Sequence, residues 1–324
     1  MSMGQPTHRT VAVNGIDLHF VEQGEGEPVV LCHGFPGLWF SWRHQIAALS
    51  VAGYRVIAPD MRGYGRTSAP AQVSEYDRPH TVGDLVGLLD ALGIERAVFA
   101  GHDFGAHLTW DLPAWAPDRV SALMQLSVPR APRLPVQPSV GFEYLASKHF
   151  AHVHYFQEPG VADRELGDNT RAFLAKIFHA LSGANRYLDC WEFPSEGNGY
   201  LDVLPEPPAL PWSWLDEGEF DYYVSEFERT GFTGGLNWYR AEDAVWAQNE
   251  SLHAKPVEVP VTFIAGAKDP VLEMMGSDPF ATMGRLVPGL VSTHVIPDAG
   301  HFVQMEKPAE VNSAMLEFLG GLTT

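Results

Sequence analysis

The chain has 324 residues, with 40 Asp and Glu against 21 Lys and Arg, a formal net charge of −19. Hydrophobic residues make up 45% and charged residues 19%, a globular composition that excludes a disordered chain. So acidic a surface, with no basic patch anywhere in the sequence, argues against nucleic acid and anionic membrane surfaces as partners.

In chain order, the first two expected strands lie near 8–13 and 16–22. Asn14-Gly15 between them is a two-residue hairpin signal, so the sheet should begin with an antiparallel pair. Short apolar runs at 29–32, 54–58, 97–100 and 122–126 read as buried strands. Helical patterns around 41–50, 80–92 and 105–116 separate them. Strands alternating with helices predict an α/β fold, a mostly parallel sheet with helices on both faces. The alternation stops near Val128-Pro129. From there to about residue 245 the chain is rich in aromatics and helical patterns, with prolines at 205, 207 and 208. Asp216 and Glu219 form a capping box. Phe220, Tyr223, Val224 and Phe227 follow at helical spacing, and Gly231 suits the C′ position. Strands return at 261–265 and 293–296, with helices near 277–287 and 306–319. No internal repeat interrupts this order. A length prior of about 150 residues per domain allows two units. The expected division is a core over 1–128, a helical cap over 129–245, and the rest of the core over 246–324.

Cys32 and Cys190 do not make a disulfide framework, which fits a reducing, cytoplasmic setting. Met1–Pro6 has no apolar stretch of the kind a secretory leader needs. No apolar run approaches the ~18 residues of a membrane span.

The strongest local signal is Gly101-His102-Asp103-Phe104-Gly105, between an expected strand and an expected helix. It has the form of a nucleophile elbow with Asp in place of Ser. The flanking glycines are required because a sharp strand-to-helix turn leaves no room for side chains, and the helix N-terminus favours an ionised carboxylate. Alone, the pattern fits equally well an Asp that caps a helix. Two later positions decide between the readings. Asp269 follows the strand at 261–265 and His301 follows the strand at 293–296, so the order is nucleophile, acid, histidine. All three fall just past the C-terminal ends of strands, where open α/β sheets build their sites. Ser127, after the strand at 122–126, is no carboxylate, which leaves Asp269 as the acid. A carboxylate nucleophile attacks an sp³ carbon bearing a leaving group and forms an ester. His301 then deprotonates the water that cleaves the ester, with Asp269 orienting the imidazole. The turn His33-Gly34-Phe35-Pro36 should supply one oxyanion-hole donor, Phe35 N–H, with Phe104 N–H as the other.

These stretches resemble the epoxide hydrolases of the α/β-hydrolase fold. So do Ser41-Trp42-Arg43-His44-Gln45, Asp60-Met61-Arg62-Gly63-Tyr64-Gly65, Tyr155-Phe156-Gln157-Glu158-Pro159-Gly160, and the run Gly231 to Arg240 that reads GFTGGLNWYR. The resemblance spans essentially the whole chain, without the N-terminal phosphatase domain of the mammalian enzymes. It implies hydration of a small-molecule epoxide to a vicinal diol, with water as co-substrate and no cofactor or metal. It also implies two cap tyrosines, Tyr155 and Tyr239, that hold the epoxide oxygen. Phe104 stands where the family often has Trp, which should reshape the pocket. Haloalkane or haloacid dehalogenases share the Asp nucleophile, but Phe35 and Phe104 offer no side-chain N–H for a halide and Phe104 is not the Arg of the haloacid forms. An inert ligand-binding relative is a third class, disfavoured by the intact Asp103, Asp269 and His301 set.

Trp39, Trp42, Trp191 and Phe193 are read as walls of an apolar pocket, with ordinary core packing the alternative. His149, His152 and His154 are read as packing or surface residues of the cap, not metal ligands. His33 and His102 are expected to support the turns around the site. Gly63-Tyr64-Gly65 lacks the third glycine of a dinucleotide fingerprint, so no nicotinamide cofactor is expected. A monomer or homodimer fits the sequence.

Overall fold

The computed structural model describes residues 5–276 and 278–322. Met1–Gly4 of the N-terminal stretch discussed above, and Ser277 at the edge of the helix expected near 277–287, lie outside the described residues. Eight strands form one sheet: β1 Thr7–Val13, β2 Ile16–Gln23, β3 Glu27–Cys32, β4 Tyr54–Pro59, β5 Ala97–His102, β6 Val120–Leu126, β7 Val261–Gly266 and β8 Leu290–Ile296. Their order is β1-β2-β4-β3-β5-β6-β7-β8. The β1–β2 and β2–β4 pairs are antiparallel and all others are parallel. Asn14 and Gly15 both take positive φ, 47° and 81°, the backbone a two-residue hairpin turn demands.

The helices that follow β3, β4 and β5 are α1 Arg43–Val51, α2 Arg78–Ala91 and α3 Phe104–Trp115. Asp77 caps α2 by accepting from His80 N–H. Between β6 and β7 the named elements are all helical: α4 Pro138–Ala146, α5 His152–Tyr155, α6 Val161–Asp168, α7 Thr170–Ala180, α8 Tyr200–Val203, α9 Glu217–Thr230, α10 Thr233–Arg240 and α11 Glu242–Gln248. The capping box at the start of α9 is formed by Asp216 and Glu219, and Gly231 ends that helix with φ 67°. After β7 come α12 Pro270–Met274 and α13 Pro279–Leu286, and after β8 come α14 Val303–Glu306 and α15 Pro308–Leu322. The helix expected over 306–319 is thus two helices, because Pro308 cannot continue the first and begins the second.

Alternate side chains of each strand go to opposite faces. Val29 and Leu31 join the cluster that packs against α1 and α15 through Ile46, Leu49, Met315 and Phe318. Val30 and Cys32 join the other cluster, which holds Leu85 of α2 and Leu108 of α3. That second cluster continues without a break into the helical region through Phe156, Phe173, Tyr223 and Leu236. The helices between β6 and β7 therefore share apolar core with one face of the sheet, over the C-terminal ends of its parallel strands.

Two glycines set how closely that region sits. A Cβ on Gly234 would lie 2.1 Å from the Gly63 carbonyl oxygen, and one on Gly235 would lie 2.7 Å from the Phe35 ring. The first turn of α10 is thereby pressed onto two core loops. Trp238 Nε1 then donates to the Arg62 carbonyl at 2.9 Å, which fixes the turn that carries Tyr239.

Candidate active site

Asp103 follows β5 directly, with φ 55° and ψ −121°, a strained backbone for a residue with a Cβ. Its neighbours explain how the turn is packed. A Cβ on Gly101 would fall 2.2 Å from Thr109 Oγ1, and one on Gly105 would fall 2.0 Å from the Cys32 carbonyl. The sharp turn leaves the Asp103 carboxylate free of its own helix, for it caps no N–H of α3. Instead Oδ1 accepts the Phe35 N–H at 2.8 Å. Gly34 makes this approach possible: a Cβ there would meet Asp103 Oδ1 at 2.1 Å and Phe104 N at 2.6 Å. Both amides expected of the oxyanion hole therefore lie beside the carboxylate.

Asp269 and His301 arrive from β7 and β8. Their loops touch so closely that a Cβ on Gly266 would lie 2.2 Å from the Gly300 carbonyl. His301 Nδ1 faces both Asp269 oxygens at 3.2 Å, and its Nε2 lies 3.5 Å from Asp103 Oδ2. The imidazole is held from behind by its own backbone. His301 N–H donates to Leu181 O at 2.8 Å. His301 O accepts from His102 Nε2 at 2.7 Å and from Ser127 Oγ at 2.8 Å. His102 thus supports the site as expected. His33 does so too, accepting the Met61 N–H at Nε2 and donating from Nδ1 to Gly34 O. The part played by Ser127 was not legible; only its place at the end of β6 pointed to it.

Burial opposes charge on Asp103, but the hydrogen bond and charge of His301 outweigh it and hold the carboxyl far below the usual range. Burial likewise opposes charge on His301, yet the carboxylates of Asp269 and Asp103 push it up to about 10. The resting site is an imidazolium between two carboxylates. To the α3 N-terminus expected to favour this charge, the structure adds the pairing with His301 and the Phe35 N–H.

A cavity of about 70 Å³ opens beside these groups, lined by Asp103, His301, Tyr239, His152, Tyr187 and Tyr200 among others. Asp103 also borders a second, largely apolar cavity of about 420 Å³, walled in part by Trp110, Leu134, Val245 and Met275. Val271 and Met274 line both. Tyr239 stands where it was expected. Its ring meets Phe104 edge-on at 4.6 Å and Phe35 at 5.6 Å. No described residue accepts a hydrogen bond from its hydroxyl. Burial, then the charge of Asp103, pushes this phenol well up, so it stays protonated. The two cap motifs are joined here: Arg240 donates to the Phe156 carbonyl and pairs with Asp163, and Gln157 donates to the Tyr239 carbonyl.

Tyr155 stands elsewhere. Its ring packs on Phe150 at 5.6 Å, and its hydroxyl is held by the Glu165 carboxylate. That carboxylate also takes the Tyr200 and Leu201 N–H groups. The residue of α5 that faces the cavity is His152, three positions earlier. The expected pocket walls are corrected as well. Trp39 lines neither cavity; it is buried in the cluster shared with α1 and α15 and donates from Nε1 to Tyr222 of α9. Trp42 is buried in the same cluster. Trp191 stacks on His149 at 4.1 Å, and Phe193 is 42% exposed. The segment Tyr187–Glu192 is a 3₁₀ turn, whose period near three carries Tyr187 and Cys190 inward and leaves Trp191 half-buried beside them. Among the described residues, no group of His, Cys, Asp or Glu is arranged to hold a metal. No helix among them is long and apolar enough to cross a membrane.

Comparison with known proteins agrees with this geometry. The α/β hydrolase fold family matches residues 27–181. Epoxide hydrolase A of Mycobacterium tuberculosis is 46% identical over 99% of both chains. Epoxide hydrolase 1 of Siraitia grosvenorii is 42% identical over 96% of this chain and 97% of that one. Among solved structures, epoxide hydrolase A from Mycobacterium thermoresistibile superimposes with a TM-score of 0.90 at 45% identity, covering 98% of this chain and 99% of the other. An epoxide hydrolase from an endophytic Streptomyces gives a TM-score of 0.93 at 39% identity, covering 98% and 96%. With an Asp-based elbow, an acid and a histidine at three strand ends, and relatives this similar over their full length, the chain belongs to the epoxide hydrolases of the α/β-hydrolase fold.

Proposed function

We propose that the protein adds water to an epoxide, giving a vicinal diol through an ester on Asp103. The observation that carries this reading is the setting of one carboxylate. Asp103 Oδ1 sits on the Phe35 amide while Oδ2, paired only with the His301 imidazole, borders the small cavity. The relatives named above share this activity in their names.

Oδ2 forms the new bond to an epoxide carbon, and the carbon–oxygen bond of the ring breaks with its electron pair on oxygen. That oxygen takes a proton from the Tyr239 hydroxyl, whose burial keeps it a neutral donor. Esterification removes the negative charge of Asp103, and with it part of what holds the proton on His301. The proton that leaves His301 refills Tyr239, and His301 becomes the neutral base that the second step needs. It takes a proton from water, and hydroxide adds to the ester carbonyl. Oδ1, already bonded to the Phe35 amide, then carries the charge, with the Phe104 amide as the second donor. Collapse releases the second alcohol, which takes the acid proton of Asp103, and the carboxylate–imidazolium pair is restored. Asp269 holds Nδ1 throughout.

The apolar cavity of about 420 Å³ that also reaches Asp103 supports an apolar substituent on the epoxide. We take residues 129–245 as the cap and 1–128 with 246–324 as the core. Cys32 and Cys190 are free and buried, which fits a cytoplasmic protein, and we take it to act as a monomer or homodimer.

A His301→Gln variant mixed with styrene oxide tests the chemistry by intact mass and peptide mapping. Ester hydrolysis should stall, and an adduct of the epoxide's full mass should sit on the peptide that carries Asp103. A folded variant that gives no adduct with a panel of aryl and alkyl epoxides, but one with haloalkanes, overturns the reading.

A further inference from the structure

An oxygen that gains charge as a ring opens can accept more than one hydrogen bond, yet the steps above supply it with one donor. The polar side chains around the small cavity narrow the choice of a second. Asp103 and His301 are engaged with each other. The hydroxyls of Tyr187 and Tyr200 bond to one another at 2.6 Å. Phe35 and Phe104 have no side-chain donor. What remains is His152, at the first position of α5.

The surroundings of His152 fix both its ring and its tautomer. The imidazole lies flat on Tyr200, at 5.7 Å and an interplanar angle of 9°. It meets Phe156 and Tyr187 edge-on, so it cannot turn freely. Its Nδ1 is 2.8 Å from the Tyr187 hydroxyl. The chain of bonds has two possible directions. If Tyr200 donates to Tyr187 and Tyr187 donates to Nδ1, every hydroxyl hydrogen has an acceptor. In the opposite direction the Tyr200 hydrogen finds no acceptor among the described residues. The first direction assigns the His152 proton to Nε2. Among the described residues Nε2 has no protein partner, and it is not one of the sealed, unsatisfied polar atoms; it is open to the cavity. The ring stands nearly perpendicular to that of Tyr239, at 87° and 6.0 Å between centroids.

We infer that His152, through Nε2–H, is the second donor to the epoxide oxygen, opposite Asp103 and beside Tyr239. The inference rests on the epoxide reading above. His152 gives up no proton in the step: the electron pair of the breaking bond goes to oxygen, Tyr239 supplies the proton, and His152 holds the oxygen as charge develops. Tyr187 and Tyr200 act through His152 as positioning residues.

The test separates ring opening from ester hydrolysis by single-turnover kinetics with styrene oxide in wild type, His152→Phe, His152→Gln and Tyr187→Phe. His152→Phe keeps a ring and loses the donor, so alkylation of Asp103 should slow by about 100-fold while hydrolysis of the ester keeps its rate. His152→Gln returns an N–H near the same place and should recover most of that loss, which a packing role would not do. A folded His152→Phe that alkylates at the wild-type rate overturns the inference and leaves the epoxide reading standing. Should that variant fail to fold, Tyr187→Phe decides, because it leaves the ring in place and frees the tautomer: slower alkylation supports the inference and a wild-type rate overturns it. Absence of the Asp103 adduct in the His301→Gln trap overturns the epoxide reading itself.

Discussion

The core and the cap contribute to the site in different ways. Asp103, Asp269 and His301 each follow a strand of one sheet, so chain order and strand ends fix where they meet. Tyr239 and His152 come from short helices whose position depends on what they pack against. Strand ends carry a signal in sequence, an apolar run followed by a turn. A four-residue helix such as α5 has no period from which a buried face can be deduced. The chemistry of the core can therefore be read residue by residue, and that of the cap only through contacts.

The sharpest way to break the core half of this contrast is Asp103→Asn. Turnover of any epoxide should fall by about 10⁴- to 10⁶-fold, as for loss of a covalent nucleophile elsewhere. The same variant tests the electrostatics. In wild type the His301 value lies raised, from 6.5 to about 10. Its contribution to stability is thus complete below pH 6.5 and is lost as pH climbs through 10. With Asn at 103 one of the two anions is gone, so His301 should titrate lower and the alkaline loss of stability should begin earlier. Histidine NMR titration and guanidinium unfolding between pH 6 and 10 would show it. An unchanged His301 midpoint would mean that Asp103 does not hold the imidazolium, and the proton route through His301 would fall with it.

The docking of the cap is the next point to press. Gly234→Val would set a side chain 2.1 Å from the Gly63 carbonyl and 2.6 Å from its Cα, both backbone atoms. Strain of this kind costs about 1–3 kcal/mol, read as a lower denaturant midpoint. Because Trp238 and Tyr239 ride on the same helix, ring opening should slow more than ester hydrolysis. Equal losses in both steps would show that α10 positions nothing specific to the first.

How much was legible follows from the same physics. The hairpin was written in the Asn14-Gly15 dipeptide, the parallel strands in short apolar runs between helical patterns, and the elbow in glycines with no space for a Cβ. The oxyanion amides followed from those turns. The pocket walls did not. Trp39, Trp191 and Phe193 are large and apolar, but size does not say which face a residue occupies. Trp39 packs with α1 and α15 and bonds to α9 instead, and the 3₁₀ turn leaves Trp191 half-buried, stacked on His149. Ser127 is no acid, and nothing in its type or spacing says that its hydroxyl holds the His301 carbonyl. A motif places Tyr155 on its short helix without naming the face it occupies, and His152 on the same helix lines the cavity.

Tyr155→Phe therefore gives the smallest expected effect and the cleanest comparison. The change removes one donor from Glu165, which keeps the amides of Tyr200 and Leu201. A hydrogen bond of that kind contributes about 0.5–1.5 kcal/mol to stability, so the denaturant midpoint should drop slightly. Turnover should stay within about twofold of wild type, because no step of ring opening requires this hydroxyl. Tyr239→Phe, by contrast, removes a donor aimed at the oxygen and should slow alkylation by about 100-fold or more. Equal kinetic losses in the two variants would mean that α5 turns when substrate binds, bringing Tyr155 in and His152 out. Unequal losses, with only Tyr239 kinetically costly, keep Tyr155 a structural partner of Glu165 and leave the cavity to His152.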